Sequence, residues 1–225
     1  MAGGRTRTDA SKGPALQRRI LITAGPTHEP IDRVRYLANR SSGSMGAALA
    51  AAARDAGWAA TLLLGPAALD PPEGVAVERF ESAADLEALL ADHFPRCDLL
   101  VMAAAVADYR AKTPGGEKLQ RRGEGITLEL ESTPDLVAAC AARKRPDQRI
   151  VGFALEERAK LDERARSKLA RKRLDAIVAN PLETMGADRI DAALIAASGD
   201  VDAPGPMPKS DFARWLIERL AADPL

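Results

Sequence analysis

The sequence has few aromatic residues, few cysteines and histidines and no net charge, and each shortage excludes a class of protein. Aromatic residues are 4% of the 225 residues, too few for a stacking platform that binds single-stranded nucleic acid. Lys plus Arg and Asp plus Glu number 32 each, so no overall charge attracts nucleic acid or a membrane surface. No apolar run reaches membrane-spanning length. We therefore expect a globular cytoplasmic protein that binds neither nucleic acid nor membrane.

The two cysteines and two histidines predict no metal site. Cys97 and Cys140 lie far apart, without the spacing of metal ligands or of a disulfide framework. We interpret both thiols as small core residues. His28 and His93 share no ligand spacing either.

Domain organisation is simple. Residues 1–18 are polar and basic and lack the apolar centre of a signal peptide, so we predict a disordered N-terminal tail there. The length of the remainder predicts a single domain over residues 19–225.

Apolar runs alternate with helical patterns along this domain. The runs are nearly all apolar, as expected for strands covered on both faces, and the alternation predicts an α/β fold with a doubly wound, mostly parallel, Rossmann-like sheet. Ligands bind beyond the carboxyl ends of the strands in such sheets. The predicted strands are 20–24, 60–64, 75–80, 99–103, 150–154 and 176–179, and the predicted helices are 42–56, 83–94, 134–142, 158–172 and 210–222.

A segment over about 108–131 interrupts this rhythm. It is polar and glycine-rich and ends in the strictly alternating run 126–131, which predicts a half-buried strand. We expect a β arm that protrudes from the sheet. A further strand is predicted at 192–196, followed by a turn at 198–200.

The segment Asn39–Gly46 has the pattern of a phosphate-binding turn between a strand and a helix. Gly43 and Gly46 would let the backbone approach an anion, and the first N–H groups of the helix have no internal partner. Ser41 and Ser42 add hydroxyl donors, and either could cap the helix. The alternative is an ordinary capped helix start. The unusually long loop before the turn, with polar residues His28, Glu29, Asp32, Arg33 and Arg35, favours a functional site.

Other candidate residues have two interpretations, ligand binding or an ordinary structural position. Asp108 follows a buried strand and could bind a base or ribose, or simply end a turn. Lys118 lies in a basic stretch that could neutralise phosphate charge or be solvated. Lys168 and Lys172 share one helix face. A nicotinamide-binding domain is disfavoured, because no G-x-G-x-x-G follows the first strand and no acidic residue ends the second.

Several motifs together resemble the phosphopantothenate–cysteine ligase family, the synthetases of coenzyme A biosynthesis. The resemblance runs from about residue 19 to the C-terminus and is carried by segments 22–35, 39–46, 103–110, 151–156 and 168–180. In many bacteria this domain follows a flavin-dependent decarboxylase. We expect the stand-alone form here.

The resemblance implies a two-step reaction. The carboxylate of 4′-phosphopantothenate attacks a nucleoside triphosphate, more often CTP than ATP in bacteria, giving an acyl-cytidylate and pyrophosphate. L-cysteine then displaces CMP. Mg²⁺ is expected, held mainly by the phosphates and not by a protein metal site. The resemblance also implies a homodimer whose arms reach the partner's site.

The site residues are implied in the same way. Asn39 and Lys118 match catalytic positions. The expected nucleotide-binding residues, including those of the phosphate-type turn, are Gly25, Ser41, Ser42, Gly43, Gly46, Met102, Ala103, Ala104, Asp108, Lys118, Pro134, Asp135, Leu136, Val137, Phe153, Lys168 and Lys172.

Three positions depart from the family pattern. Gln120 and Arg121 replace two lysines of a Lys-x-Lys-Lys motif, and Ser44 stands where lysine is common. The alternatives to an active ligase are a nucleotide-binding homologue without turnover and an NAD(P)-binding reductase.

Overall fold

The computed structural model describes residues 17–120, 123 and 125–222. Five α-helices and fourteen strands are found in this part of the chain. The helices are α1 (Ser44–Asp55), α2 (Ala83–His93), α3 (Leu136–Ala142), α4 (Leu161–Arg171) and α5 (Lys209–Ala222). The strands are β1 (Arg19–Ala24), β2 (Glu29–Pro30), β3 (Tyr36–Leu37), β4 (Ala59–Leu64), β5 (Ala76–Arg79), β6 (Leu99–Met102), β7 (Tyr109–Ala111), β8 (Leu130–Ser132), β9 (Arg149–Glu156), β10 (Ala176–Pro181), β11 (Arg189–Ile190), β12 (Ala193–Ala196), β13 (Val201–Asp202) and β14 (Met207–Pro208).

Eight strands form one central sheet in the order β13-β12-β10-β9-β6-β1-β4-β5. The six strands from β10 to β5 are parallel, and β12 and β13 add an antiparallel edge. The prediction of a mostly parallel, Rossmann-like α/β sheet is confirmed. The order reverses at β1, which lies between β4 and β6, so a crevice opens beyond the carboxyl ends of β1 and β6.

Two apolar cores cover the two faces of the sheet. Helices α1 and α5 pack on one face, where Ile22, Val101 and Val178 are buried. Helices α2, α3 and α4 pack on the other, where Leu21, Leu100 and Ile177 are buried. Because neighbours along a strand point to opposite faces, the wholly apolar runs of the sequence supply both cores.

All six main predicted strands and all five predicted helices are present, with ends displaced by three residues or fewer. The predicted late strand is β12, and the turn after it closes on Ser198, whose hydroxyl donates to Asp200. Cys97 and Cys140 are 4% and 1% exposed, as expected for core thiols. Burial raises the pKa of Cys97 to about 12, so this thiol stays protonated and unreactive.

The arm is a two-stranded antiparallel hairpin at its base, formed by β7 and β8. The prediction of a half-buried strand over 126–131 is wrong: β8 begins only at Leu130, and Ile126 is 66% exposed. The reason is the absence of a covering element, because no other described part of this chain packs on the apolar side of the alternating run.

The start of the described chain is attached to the domain. Gln17 donates to the carbonyl of Gly57, and Arg18 donates to the carbonyl of Ala221. The rest of the predicted N-terminal tail, residues 1–16, lies outside the described residues.

Candidate functional site

A cavity of about 740 Å³ opens along the carboxyl edge of the sheet, where the topology places it. It is lined by the turn before α1, the segment after β6, the start of α3, the ends of β9 and β10, and the last turn of α4. Asn39 and all the predicted nucleotide-binding residues except Gly25 and Lys118 line it. Its volume falls in the range of small-molecule sites.

The wall formed by residues 103–107 is fixed to β1 and to the loop after it by threonine hydroxyls. The buried Thr23 hydroxyl accepts a hydrogen bond from the N–H of Ala104 at 3.1 Å, and Thr27 accepts one from Ala107 at 3.0 Å. Gly25, which does not line the cavity, accepts from the N–H of Ala105 at 2.9 Å. Gly25 therefore supports the wall from behind, and small side chains leave its backbone open to a ligand.

The turn before α1 places a glycine at the start of the helix. Gly43, with a left-handed φ of 73°, is the N-cap residue and has no side chain that could cap the first turn. Neither predicted serine is the N-cap residue, but the Ser42 hydroxyl accepts a hydrogen bond from the N–H of Ser44, the first residue of α1, at 3.4 Å. Both serines line the cavity, and the N–H groups of the first turn after Ser44 stay available for an anion.

Gly46 has a packing role that the sequence did not indicate. A Cβ there would lie 2.4 Å from the Cβ of Ala24, so glycine is needed for α1 to pack closely on β1. Gly46 therefore sets the position of the helix that presents the turn. Since Gly46 also lines the cavity, its expected contact with an anion stays a prediction.

Asn39 is oriented by the backbone. Its amide Nδ2 donates to the carbonyl of Val106 at 2.9 Å, which fixes the side chain at the cavity wall. An amide has two donors and one acceptor oxygen, so one N–H and the oxygen remain for a ligand.

Lysines from α4 give the opposite wall its charge. Lys168 donates to the carbonyl of Phe153 at 2.7 Å, and burial lowers the pKa of Lys168. Lys172 pairs with Asp135 at 2.9 Å. Burial alone would raise the pKa of Asp135, but the hydrogen bond from Lys172 holds it below its usual value. Both lysines line the cavity, which confirms that Lys168 and Lys172 share one helix face. Two ammonium groups therefore lie beside the cavity.

The cavity offers oxygen ligands but no metal-binding cluster. Asp108 lines it with an exposed side chain that makes no hydrogen bond to other described residues. Asp135 and Glu156 already pair with Lys172 and Arg164. Within residues 17–120, 123 and 125–222, no group of three or more His, Cys, Asp or Glu side chains could hold a metal ion.

Lys118 lies outside the cavity of its own chain. It is exposed on the arm, and the adjacent Leu119 is fixed to the loop before α1 through Asp32 and Arg35. Gln120 is also exposed, and Arg121 lies outside the described residues. The structure thus separates the two predicted catalytic residues, Asn39 and Lys118, within one chain.

The polar loop before the turn is largely structural. Glu29 is buried and accepts from the N–H of Ala83 at the start of α2, and Asp32 organises the loop itself. His28 stacks on Tyr36. None of the five polar residues singled out in this loop is part of the cavity lining.

Sequence reasoning missed several lining residues. Arg40 and Arg171 are exposed cations at the rim, and Lys209 reaches the cavity from the first residue of α5. Asn180 lies near the end of β10 and donates to the Thr184 hydroxyl at 3.1 Å. Arg40 lies inside the motif Asn39–Gly46 and could have been found. Lys209 gave no signal, because its approach depends on how α5 packs against α1.

The fold and the cavity define a Rossmann-like α/β domain whose ligand site lies at the carboxyl edge of a parallel sheet. Residues 15–223 match the family described as the DNA/pantothenate metabolism flavoprotein C-terminal domain. The chain belongs to this family.

Similarity to individual proteins and to a solved structure agrees with this family membership. A cysteine/cysteine sulfinic acid decarboxylase from an unknown prokaryotic organism is 43% identical over 175 residues, covering 77% of this chain and 48% of that protein. The coenzyme A biosynthesis bifunctional protein CoaBC of Bacillus subtilis (strain 168) is 40% identical over 180 residues, covering 80% of this chain and 44% of that protein. The crystal structure of the C-terminal domain of a CoaBC protein is 35% identical with a TM-score of 0.78, covering 91% of this chain and 95% of that one.

The family resemblance carried by the sequence motifs is thereby confirmed. The chain spans about half the length of the curated relatives, between 42% and 50% of each. No helix in the described ranges is both long and apolar enough to cross a bilayer.

Proposed function

We propose that this domain joins 4′-phosphopantothenate to L-cysteine in coenzyme A biosynthesis. The observation that carries the proposal is the cavity itself. It gathers Asn39, the start of α1, Lys168 and Lys172 in one site of a family whose relatives include CoaBC proteins. The decarboxylase relative is named for a protein about twice as long as the region it shares with this chain.

The first half-reaction activates the carboxylate. A carboxylate oxygen of 4′-phosphopantothenate attacks the α-phosphorus of the nucleotide, the bond to the β-phosphate oxygen breaks, and pyrophosphate leaves. Lys168 and Lys172, which both line the cavity, would bind nucleotide oxygens. Positioned cations of this kind stabilise the negative charge that develops in phosphoryl and nucleotidyl transfer.

The second half-reaction uses the mixed anhydride. The cysteine amine attacks the acyl carbon, the carbon–oxygen bond to the nucleotide breaks, the amine loses a proton and CMP leaves. Asn39 is held by Val106, so its remaining N–H and oxygen can orient the acyl-nucleotide for this attack.

Two finer assignments belong to the same proposal. CTP is the preferred nucleotide. Mg²⁺ accompanies it, bound mainly by phosphate oxygens, in keeping with the isolated Asp108 and the paired Asp135 and Glu156 of the cavity. When bound, the ion would neutralise phosphate charge.

We also propose a homodimer in which the arm of one chain completes the site of the other. Lys118 is exposed and lies outside its own cavity, and the arm exposes the apolar side chains of Tyr109, Ile126 and Leu130. A partner that covered these side chains would remove apolar area from water.

The deciding experiment supplies purified protein with 4′-phosphopantothenate, L-cysteine, Mg²⁺ and either CTP or ATP. We expect pyrophosphate and phosphopantothenoylcysteine with CTP in preference to ATP. Equal or faster turnover with ATP contradicts the nucleotide assignment, and absence of pyrophosphate with both contradicts the ligase. Thermal stabilisation by NADPH in place of CTP would favour a reductase.

A further inference from the structure

Lys209 enters the cavity from a part of the chain far from the turn before α1. Its Nζ donates to the hydroxyl of Ser44, the first residue of α1, at 3.2 Å across 165 sequence positions. Its backbone N–H donates to the carbonyl of Asp188 at 3.0 Å, and the pairing of β11 with β14 fixes the two residues before it. The position of this ammonium is therefore set by the fold and not by a flexible tail.

The charge of Lys209 has no counter-ion. No carboxylate of the described residues lies within ion-pair distance of it, whereas Lys172 in the same cavity is paired with Asp135. Burial lowers the pKa of Lys209, and only the more distant Asp188 opposes this shift. A half-buried cation that faces a cavity without a carboxylate partner is favourable only when an anion joins it.

The surroundings of Lys209 also select for an anion. Ser44 is hydrogen-bonded to Ser42 at 2.9 Å, so two hydroxyls lie together beside the ammonium. The first turn of α1 contains no acidic residue, and its backbone N–H groups point the positive end of the helix to the same place. A cation there is electrostatically disfavoured unless an anion balances it.

We propose that Lys209, with the hydroxyls of Ser42 and Ser44, binds the terminal phosphates of the nucleoside triphosphate. This assignment rests on the proposed function and extends it. It gives the pyrophosphate leaving group its own cation, on the opposite side of the sheet from Lys168 and Lys172. Lys209 is thus a binding residue for the β- and γ-phosphates and makes no contact with the nucleoside.

The assignment predicts different effects on CTP and CMP. By calorimetry, Lys209→Gln should weaken CTP binding by about tenfold to a hundredfold, the usual effect of losing a charge-assisted hydrogen bond, and leave CMP binding within about twofold. Lys209→Arg should retain most of the CTP affinity. Lys160→Gln removes the same charge from an exposed site outside the cavity and serves as the matched control.

A second variant covers the case in which Lys209→Gln fails to fold. Ser44→Asp places a carboxylate at the start of α1 beside Lys209, where it should raise the melting temperature through the helix dipole and a new ion pair. The same carboxylate should occupy Lys209 and repel the terminal phosphates, so CTP binding should fall while CMP binding persists.

Two results would overturn the assignment: equal losses of CTP and CMP affinity, and unchanged CTP affinity in Lys209→Gln. If the unchanged CTP affinity is accompanied by a raised KM for 4′-phosphopantothenate, the subsite belongs to the phosphate of that substrate. Wild-type protein that binds neither CTP nor ATP would reject the proposed function together with this assignment, whereas wild-type CTP binding that survives Lys209→Gln rejects the assignment alone.

Discussion

The carboxylate of Asp32 accepts a hydrogen bond from the backbone N–H of Leu119 at 3.1 Å, although the two residues are 87 positions apart. Asp32 also accepts from the N–H groups of Val34 and Arg35 at 2.8 Å and pairs with the Arg35 guanidinium at 3.0 Å. The guanidinium in turn donates to the carbonyl of Leu119 at 3.2 Å. One buried carboxylate thus joins the loop before α1 to the arm, next to Lys118.

We expect Asp32→Asn to release the arm. An amide cannot accept all of these hydrogen bonds and adds N–H groups that have no acceptor there. Hydrogen exchange at residues 115–119 should become faster, with little change in the central strands. Asp55→Asn, on the exposed side of α1, is the control and should leave the arm unchanged.

The same contact should weaken in acid. Burial by itself raises the pKa of Asp32, but the N–H groups of Val34, Leu119 and Arg35 outweigh it and hold the pKa below its usual value. A carboxyl with a depressed folded-state pKa contributes stability above its unfolded pKa, about 3.9, and loses it as pH falls through the folded value. Hydrogen exchange at the N–H of Leu119 should therefore become faster below about pH 4 when it is measured relative to exchange in the Asp32→Asn variant. A ratio of the two exchange rates that stays constant would contradict this.

Substitutions at Asn39 and at Lys118 should block different half-reactions. Asn39→Asp puts negative charge beside an anionic intermediate and against the Val106 carbonyl, so acyl-nucleotide should accumulate after a near-normal first release of pyrophosphate. Lys118→Gln should form little intermediate. Losing one well-placed donor typically costs on the order of a hundred- to a thousandfold in rate. Single-turnover mass measurement with labelled nucleotide checks this, and the reverse pattern would show that the roles are wrongly assigned.

Lys168→Met should weaken CTP binding without lowering the stability of the domain. Burial penalises the charged form of Lys168, so replacing it with an apolar side chain of similar length should not lower the melting temperature of the empty protein. CTP binding should weaken by at least about tenfold, because a charge-assisted contact is lost. A variant that loses melting temperature and CTP affinity together would indicate a mainly structural lysine.

Gly46→Ala should destabilise the domain. The new methyl group would lie 2.4 Å from the Cβ of Ala24, so α1 must move away from β1 at a cost of about 1–3 kcal/mol. Urea unfolding measures this, with Gly116→Ala as the control, since a Cβ at Gly116 meets no atom within 4 Å. Because α1 carries the turn, CTP affinity should fall as well.

The dimer proposal is tested by Ile126→Asp. A charge on the exposed apolar side of the arm should weaken association without altering the fold, because Ile126 contributes nothing to either core. Light scattering at micromolar concentration should give a dimer for the wild type and a smaller mass for the variant. A monomeric wild type would count against the proposal.

The sequence predicted the sheet well because the relevant signals are local. Runs such as 20–24 and 99–103 are apolar without alternation, and only strands covered on both faces tolerate that pattern. The cavity followed from topology, since parallel strands collect the segments after β1 and β6 at one edge.

The contributions of Gly46 and Lys209 could not be predicted in this way. In a sequence, a glycine that lets a ligand approach looks the same as one that lets a neighbouring strand pack closely. The packing role of Gly46 is seen only in the distance from a Cβ at this position to Ala24. Lys209 meets Ser44 through the packing of α5 on α1, a relationship between segments far apart in sequence. The arm failed as a half-buried strand because alternation shows which side chains share a face and says nothing of what covers that face.

Helix α5 also connects the cavity to the opposite edge of the sheet. It begins at Lys209 and runs for 14 residues, about 21 Å, until the carbonyl of Ala221 accepts from Arg18 just before β1. The two ends of the described chain, Gln17 and Ala222, therefore meet at the amino edge of the sheet, away from the cavity. A fluorophore, an affinity tag or a whole fused domain joined directly to Gln17 or to Ala222 would leave the mouth of the cavity clear, and a short linker between these two residues would suit a circular permutant opened elsewhere.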